Sequence, residues 1–368
     1  MKTFIVLVLI LMYCKTVGYS VVNDKPDEPN ENNVFVITLD GLRWQELFQG
    51  ADSSLINDTN YTTDTALLKH RFWDSSEEKR REKLMPFFWN VIAKQGQLFG
   101  NRNYHNNVNV SNAYALSYPG YNEIFTGKTD LAIYSNEKKS NKNVTMLEYL
   151  NSKPSFAGKV AAFTSWDAFP FILNKKRSKL YINCTSSLFD KDSNETVLKS
   201  YSHAKADGCD NSIRSDYLTY TAARDYILKA QPRVVHIGLG GTDKYAHSKK
   251  YGEYLNQANL ADGIISQLWQ LVQASSYYKN NTTFIITTDH GRGSGKSNWH
   301  NHGFFVKGSS QTWLALMGNG VRTLGENKHP VQLYQKQIAG TIGYFLNIRS
   351  YSNYSLPVTY FSKMAKVN

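Results

Sequence analysis

The sequence predicts an α/β fold, layered α/β/α around a mainly parallel central sheet. Three observations carry this. Residues 34–39, 234–239 and 283–288 are unbroken β-branched and apolar runs, the pattern of strands covered on both faces. Stretches with apolar residues at three- and four-residue spacing lie between such runs, and strands alternating with helices build a parallel sheet. The chain has 368 residues, 41% hydrophobic and 20% charged, which suffices for a large core. That composition fits no disordered, collagenous or cysteine-rich class.

The elements follow in order. Lys2, an apolar run from Phe4 to Tyr13 and small residues before Ser20 read as a secretory signal peptide over 1–20. This predicts a secreted or extracytoplasmic protein. A lipoprotein box at Cys14 is disfavoured by the bulky Tyr13 before it. No later stretch is apolar for long enough to predict a membrane span. Residues 21–33 are polar and carry Pro26 and Pro29, so a flexible leader is expected, followed by one domain over 34–368. The first strand, 34–39, runs into Asp40-Gly41. Residues 51–83 read as a loop or small insertion. Pro86 near the start and Gly96 at the end frame a helix over 85–96. A strand is expected at 159–164, and loops at 135–143 and 185–215. Helices at 217–228 and 254–274 flank the strand at 234–239. After 283–288 come a strand at 312–317 and a helix at 331–345.

The net charge is +12, with 42 Lys and Arg against 30 Asp and Glu. Such a balance attracts phosphates and anionic surfaces. The basic residues are scattered, as at Lys79–Arg81 and Lys175–Arg177, with no arginine-rich arm. No dedicated nucleic-acid binding is therefore expected. Beyond the leader two cysteines remain, Cys184 and Cys209. In an exported chain they predict one disulfide, worth roughly 3 kcal/mol, with two free thiols as the alternative. Sequons such as Asn57, Asn60 and Asn280 would mark surface loops in a glycoprotein.

Three of the buried runs each end near an acid: Asp40, Asp243 and Asp289. Ligands of open α/β sheets bind at the strand carboxyl ends. Three carboxylates gathered there repel one another unless a cation compensates. His290 follows Asp289, His247 lies four after Asp243, and His300 and His302 come soon after. Mixed Asp and His ligation favours zinc over hard cations, and the number of ligands suits two ions. Any one of these acids alone would pass for a helix cap. Ser117 precedes Pro119, which favours the first helical turn and puts Ser117 at a helix N-terminus. Free N–H groups there favour a phosphate and an alkoxide, although an ordinary cap would use the same residues. His236, inside an apolar run, reads as a core residue.

Leu39-Asp40-Gly41, Ser117-Tyr118-Pro119 running to Thr126-Gly127, Asp243 with His247, Thr288-Asp289-His290-Gly291 and a late His302-Gly303 occur in the order used by the alkaline phosphatase superfamily. The sequence most resembles its nucleotide pyrophosphatase/phosphodiesterase-like branch. The resemblance spans about residues 34–303. It implies two Zn²⁺ or similar divalent ions, one on Asp243, His247 and His302, the other on Asp40, Asp289 and His290. It makes Ser117 the metal-activated nucleophile, and Asn136 a donor to the phosphoryl oxygen. His302 is preferred over His300 because a glycine follows it. Ala246 stands where the family pattern has Gly. The function implied is a phosphoric-ester hydrolase, phosphodiesterase or phosphatase, acting on a small phosphate ester. A sulfatase or phosphomutase on the same scaffold is the alternative, and a non-catalytic binding protein on a dead hydrolase fold is another.

Overall fold

The computed structural model describes residues 29–184, 213–352, 356 and 358–361. The strands are β1 (Asn33–Leu39), β2 (Gln97–Phe99), β3 (Asn106–Asn109), β4 (Val160–Thr164), β5 (Tyr181–Asn183) and β6 (Val234–Leu239). They continue with β7 (Thr282–Thr287), β8 (Gln311–Thr312), β9 (Leu314–Gly318), β10 (Gly325–Glu326) and β11 (Val331–Tyr334). Eight form one sheet in the order β10-β2-β9-β7-β1-β6-β4-β5. The fold is the mixed α/β architecture expected, with helices packed on a large central sheet. Parallel pairing joins β1 to both β6 and β7, β4 to β5 and β6, and β10 to β2. Within this sheet β9 alone runs against its neighbours, β2 and β7.

The unbroken apolar character of β1 has a direct cause. Phe35, Ile37 and Leu39 enter one core, with Ile264, Ile265 and Leu268 of the Tyr251–Ala274 helix. Val34 and Val36 enter another, with Ile338 and Ile342 of the Gln337–Phe345 helix. Side chains alternate across a strand, so a strand with apolar cores on both faces has no polar side. Because β6, β1 and β7 are neighbours running the same way, their carboxyl ends lie together. His236 is fully buried among Tyr121, Phe125 and Phe169, as a core residue, and its Nδ1 donates to the Val36 carbonyl at 3.2 Å.

Several expectations need correction. Residues 51–83 are not a loop: they hold helices Ser53–Ile56, Thr65–Phe72 and Glu77–Leu84. Each is opened by a side-chain cap, from Asp52, Asp64 and Ser76, and such caps satisfy backbone donors that the helix leaves free. The 331–345 helix is a strand followed by a helix. Val331–Tyr334 pairs with β3 in a three-stranded sheet, and the chain turns at Gln335 before Gln337–Phe345. Gln335 is held there by its side chain on the Thr288 carbonyl, and Lys336 N–H by Glu123 at 3.2 Å. The 85–96 helix takes a π-helical turn over Phe88–Ile92. The 312–317 strand is split at Trp313 into β8 and β9.

The polar leader ends earlier than expected. Asn32 is buried, its amide donating to Thr283 Oγ1 at 3.0 Å, and Asn33 already belongs to β1. The 135–143 stretch is without regular structure. No helix among the described residues is long and apolar enough to cross a membrane. Cys184 is a buried free thiol, and Cys209, its expected partner, lies outside the described residues. So do residues 1–20, read above as a signal peptide, and most of the 185–215 stretch.

Candidate metal centre

Asp40 is the residue after β1. Gly41 follows with φ of +59° and turns its N–H to Asp289 Oδ1 at 3.1 Å. A Cβ on Gly41 would lie 2.7 Å from the Arg292 guanidinium, so glycine is required there by backbone and by space. Asp289 and His290 follow β7 in the same way. Asp243 sits in the Gly241–His247 helix that leaves β6, and His247 is one turn on, on the same helical face. The start of that helix is held by Asp216, which accepts from the N–H groups of Gly240 at 2.8 Å and Gly241 at 3.0 Å. Ser117 opens the Ser117–Thr126 helix, after an extended Leu116. Gly120, one turn on, rests against the Asp289 backbone, where a Cβ would come within 2.4 Å of the Asp289 carbonyl oxygen. The Ser117–Thr126 helix and the Asp289-His290 loop are thus in direct contact.

These placements bring the expected residues together. His247 Nε2 lies 3.3 Å from Asp243 Oδ2 and 3.0 Å from His302 Nε2, with His302 Nε2 3.8 Å from Asp243 Oδ1. His290 Nε2 lies 3.5 Å from both Asp40 Oδ1 and Asp289 Oδ2, and 3.9 Å from Asp243 Oδ1. Ser117 Oγ is 3.2 Å from His290 Nε2. The ligand atoms of Asp40, Asp289 and His290 lie within 4.8 Å of one another, and so do those of Asp243, His290 and His302. The rings of His290 and His302 stack with centroids 3.8 Å apart. His300 does not converge: its carbonyl takes Arg292 Nη1 at 2.6 Å and its ring lies near Tyr61. Asn136 is exposed at the start of the Ser117–Thr126 helix, where Oδ1 accepts the Tyr118 N–H at 2.9 Å.

The donor set fits divalent cations on a structural observation. Asp40 Oδ1 and Asp289 Oδ2 are buried oxygens without a hydrogen-bond partner, and each lies 3.5 Å from His290 Nε2, while Asp243 Oδ1 is paired with Arg292. Buried acceptors left unpaired are costly and rare. Burial pushes Asp40 and Asp289 up to about 7, with mutual repulsion adding to Asp40. It also holds His247, His290 and His302 below the ordinary histidine range, which keeps their imidazoles neutral. A cation reverses the carboxylate penalty by compensating the charge that burial disfavours.

Two contributors were missed in the sequence. Arg292 is fully buried and pairs with Asp243, while Nε donates to the Gly41 carbonyl at 3.0 Å. Its signal was a basic residue two places after Asp289-His290. Tyr121, buried one turn past Ser117, donates its hydroxyl to Asp40 Oδ2 at 3.1 Å.

No family model matches the chain, and no curated protein matches it either. Solved structures do. The lipoteichoic acid synthase LtaP from Listeria monocytogenes aligns with TM-score 0.59 at 12% identity, over 91% of this chain and 77% of that one. A mutant of alkaline phosphatase PafA aligns with TM-score 0.53 at 10% identity, over 85% and 95%. A 2-O GAG sulfatase gives 0.53 at 12%, over 87% and 71%. Identities this low speak for the fold. The chain has the fold of the alkaline phosphatase superfamily.

Proposed function

We propose that the protein is a secreted, two-metal phosphoric-ester hydrolase with Ser117 as its nucleophile. The observation that carries this is Ser117 Oγ, at a helix N-terminus and 3.2 Å from His290 Nε2, beside two groups of buried ligand atoms. Asp243, His247 and His302 would hold one divalent ion, and Asp40, Asp289 and His290 the other. Such ions supply Lewis acidity to phosphoryl oxygens and favour the deprotonated serine.

The chain's own residues do the rest. N–H groups at the start of the Ser117–Thr126 helix face the anionic phosphoryl group, and the helix dipole favours its charge. Asn136 has its oxygen engaged by Tyr118, which leaves its NH₂ to donate to a phosphoryl oxygen. Ser117 Oγ forms the bond to phosphorus in line as the P–O bond to the ester group breaks, and the serine proton passes through solvent to the departing oxygen. Water then breaks the phosphoserine ester and restores the hydroxyl. Sulfatases of the superfamily mature a serine or cysteine followed four residues later by arginine; Tyr121 stands at that place and is tied to Asp40, which speaks for an unmodified serine.

The test is a set of p-nitrophenyl phosphate, a p-nitrophenyl phosphodiester and p-nitrophenyl sulfate, each with added Zn²⁺. Turnover of a phosphate ester, abolished by chelation, supports the reading and tells monoester from diester. A preference for sulfate refutes it, and metal-loaded protein inert on all three points to the dead-fold alternative.

A further inference from the structure

One residue in the approach to the nucleophile stands out on geometry. Ala115 has φ of +46°, a left-handed conformation that an alanine rarely adopts. Its N–H donates to Asn112 Oδ1 at 2.9 Å. Its carbonyl accepts from His302 Nδ1 at 3.1 Å. Asn112 is itself buried and fixed. Its backbone N–H and its side-chain amide both donate to Glu123 Oε2 at 2.9 Å, and Glu123, fully buried, also accepts the Ser111 N–H at 2.7 Å. A continuous path of hydrogen bonds therefore runs from Glu123 through Asn112 and the Ala115 peptide to His302.

The direction of the last bond matters chemically. A carbonyl only accepts, so Nδ1 of His302 carries the ring proton and Nε2 is left with its lone pair. Nε2 is the atom that faces His247 Nε2 and Asp243 Oδ1. A partner on the far nitrogen that sets the tautomer and aims the ring is what a metal-binding histidine requires. His290 follows the same rule with its own partner, Nδ1 donating to the Gly291 carbonyl at 2.9 Å. That bond is local to its loop. His302 instead borrows its acceptor from the segment that leads into Ser117, two residues before the nucleophile.

We propose that Asn112 is a positioning residue. By holding Ala115 in the left-handed conformation, it aims the Ala115 carbonyl at His302 Nδ1 and so fixes His302 as a ligand through Nε2. The same hold sets the entry of the chain into the Ser117 helix, which couples the nucleophile to the ligand. The proposal rests on the metal-site reading above, and its first test is independent of metal.

In metal-free, ¹⁵N-histidine-labelled protein, the His302 signals, assigned by their loss in His302→Gln, show a protonated Nδ1 and a bare Nε2. A wild-type His302 with Nε2 protonated overturns the proposal even if zinc binds. Asn112→Ala, checked for folding by circular dichroism, shifts those signals and weakens Zn²⁺ binding about 10–100-fold in a competition titration. Ala115→Gly in the Asn112→Ala background recovers much of that loss, because glycine takes positive φ without a Cβ penalty. Unchanged signals and affinity in a folded Asn112→Ala overturn the proposal. Failure of the wild type to bind zinc refutes the metal reading instead, with the tautomer still read from the spectrum. If Asn112→Ala does not fold, the double variant and the wild-type spectrum decide.

Discussion

Removing the metal reverses the sign of the pH dependence of stability. Asp40 and Asp289 are fully buried, and burial raises both to about 7 from an ordinary 3.8 when no cation is present. Between about pH 4 and pH 7 the folded metal-free protein keeps protons that the unfolded chain has lost. Stability then falls as pH rises through that window. A rise of about three pH units corresponds to roughly 4 kcal/mol per carboxyl, and less for the pair because the two are coupled. Bound zinc needs the carboxylates ionised, so its contribution is largest above pH 7 and fades below it. At zinc a thousandfold above its dissociation constant the gain is about 4 kcal/mol, or roughly 5 °C for a chain of this size. Thermal unfolding of chelator-stripped and zinc-loaded protein at pH 5.5 and pH 8 reads this directly. The expected result is a large rise with zinc at pH 8 and a small one at pH 5.5, with Asp289→Asn flattening the difference. Equal melting with and without zinc at pH 8 would refute the reasoning.

Other expectations are separable from that one. Gly120→Ala drives a Cβ to within 2.4 Å of the Asp289 carbonyl, so it should displace Asp289, cost roughly 1–3 kcal/mol and lower zinc affinity together, in paired melting and titration experiments. Asp262→Ala removes the acceptor, on the Tyr251–Ala274 helix, of the Phe87 and Phe88 N–H groups, at 2.7 and 2.9 Å. It should cost roughly 1–3 kcal/mol by denaturant unfolding and leave zinc affinity unchanged. A change in metal affinity there would mean the two regions are coupled. Ser117→Ala should keep its zinc content, by elemental analysis, and lose at least about 10³-fold in kcat.

The central strands and the acids that follow them were legible because burial on both faces leaves a local mark, an apolar run that stops at Asp40 or just before Asp289. His302 was separable from His300 only by the glycine beside it, and the structure brings His302, not His300, to the cluster. The helices over 51–84 were missed because their apolar faces are short, although Asp52, Asp64 and Ser76 were readable as caps. Val331–Tyr334 does not read as a strand because its partner, β3, lies more than two hundred residues earlier, and period alone does not settle four residues. Arg292 and the Asn112–Ala115 contact to His302 are tertiary, and no spacing in the chain announces them.

The most direct measurement is the mass of the peptide carrying Ser117, taken from zinc-loaded protein quenched in acid during turnover of a phosphate ester. The account predicts one added phosphoryl group on Ser117, absent before substrate is added and absent in Ser117→Ala. An aldehyde at residue 117, or turnover with the phosphoryl group on another residue, would contradict it.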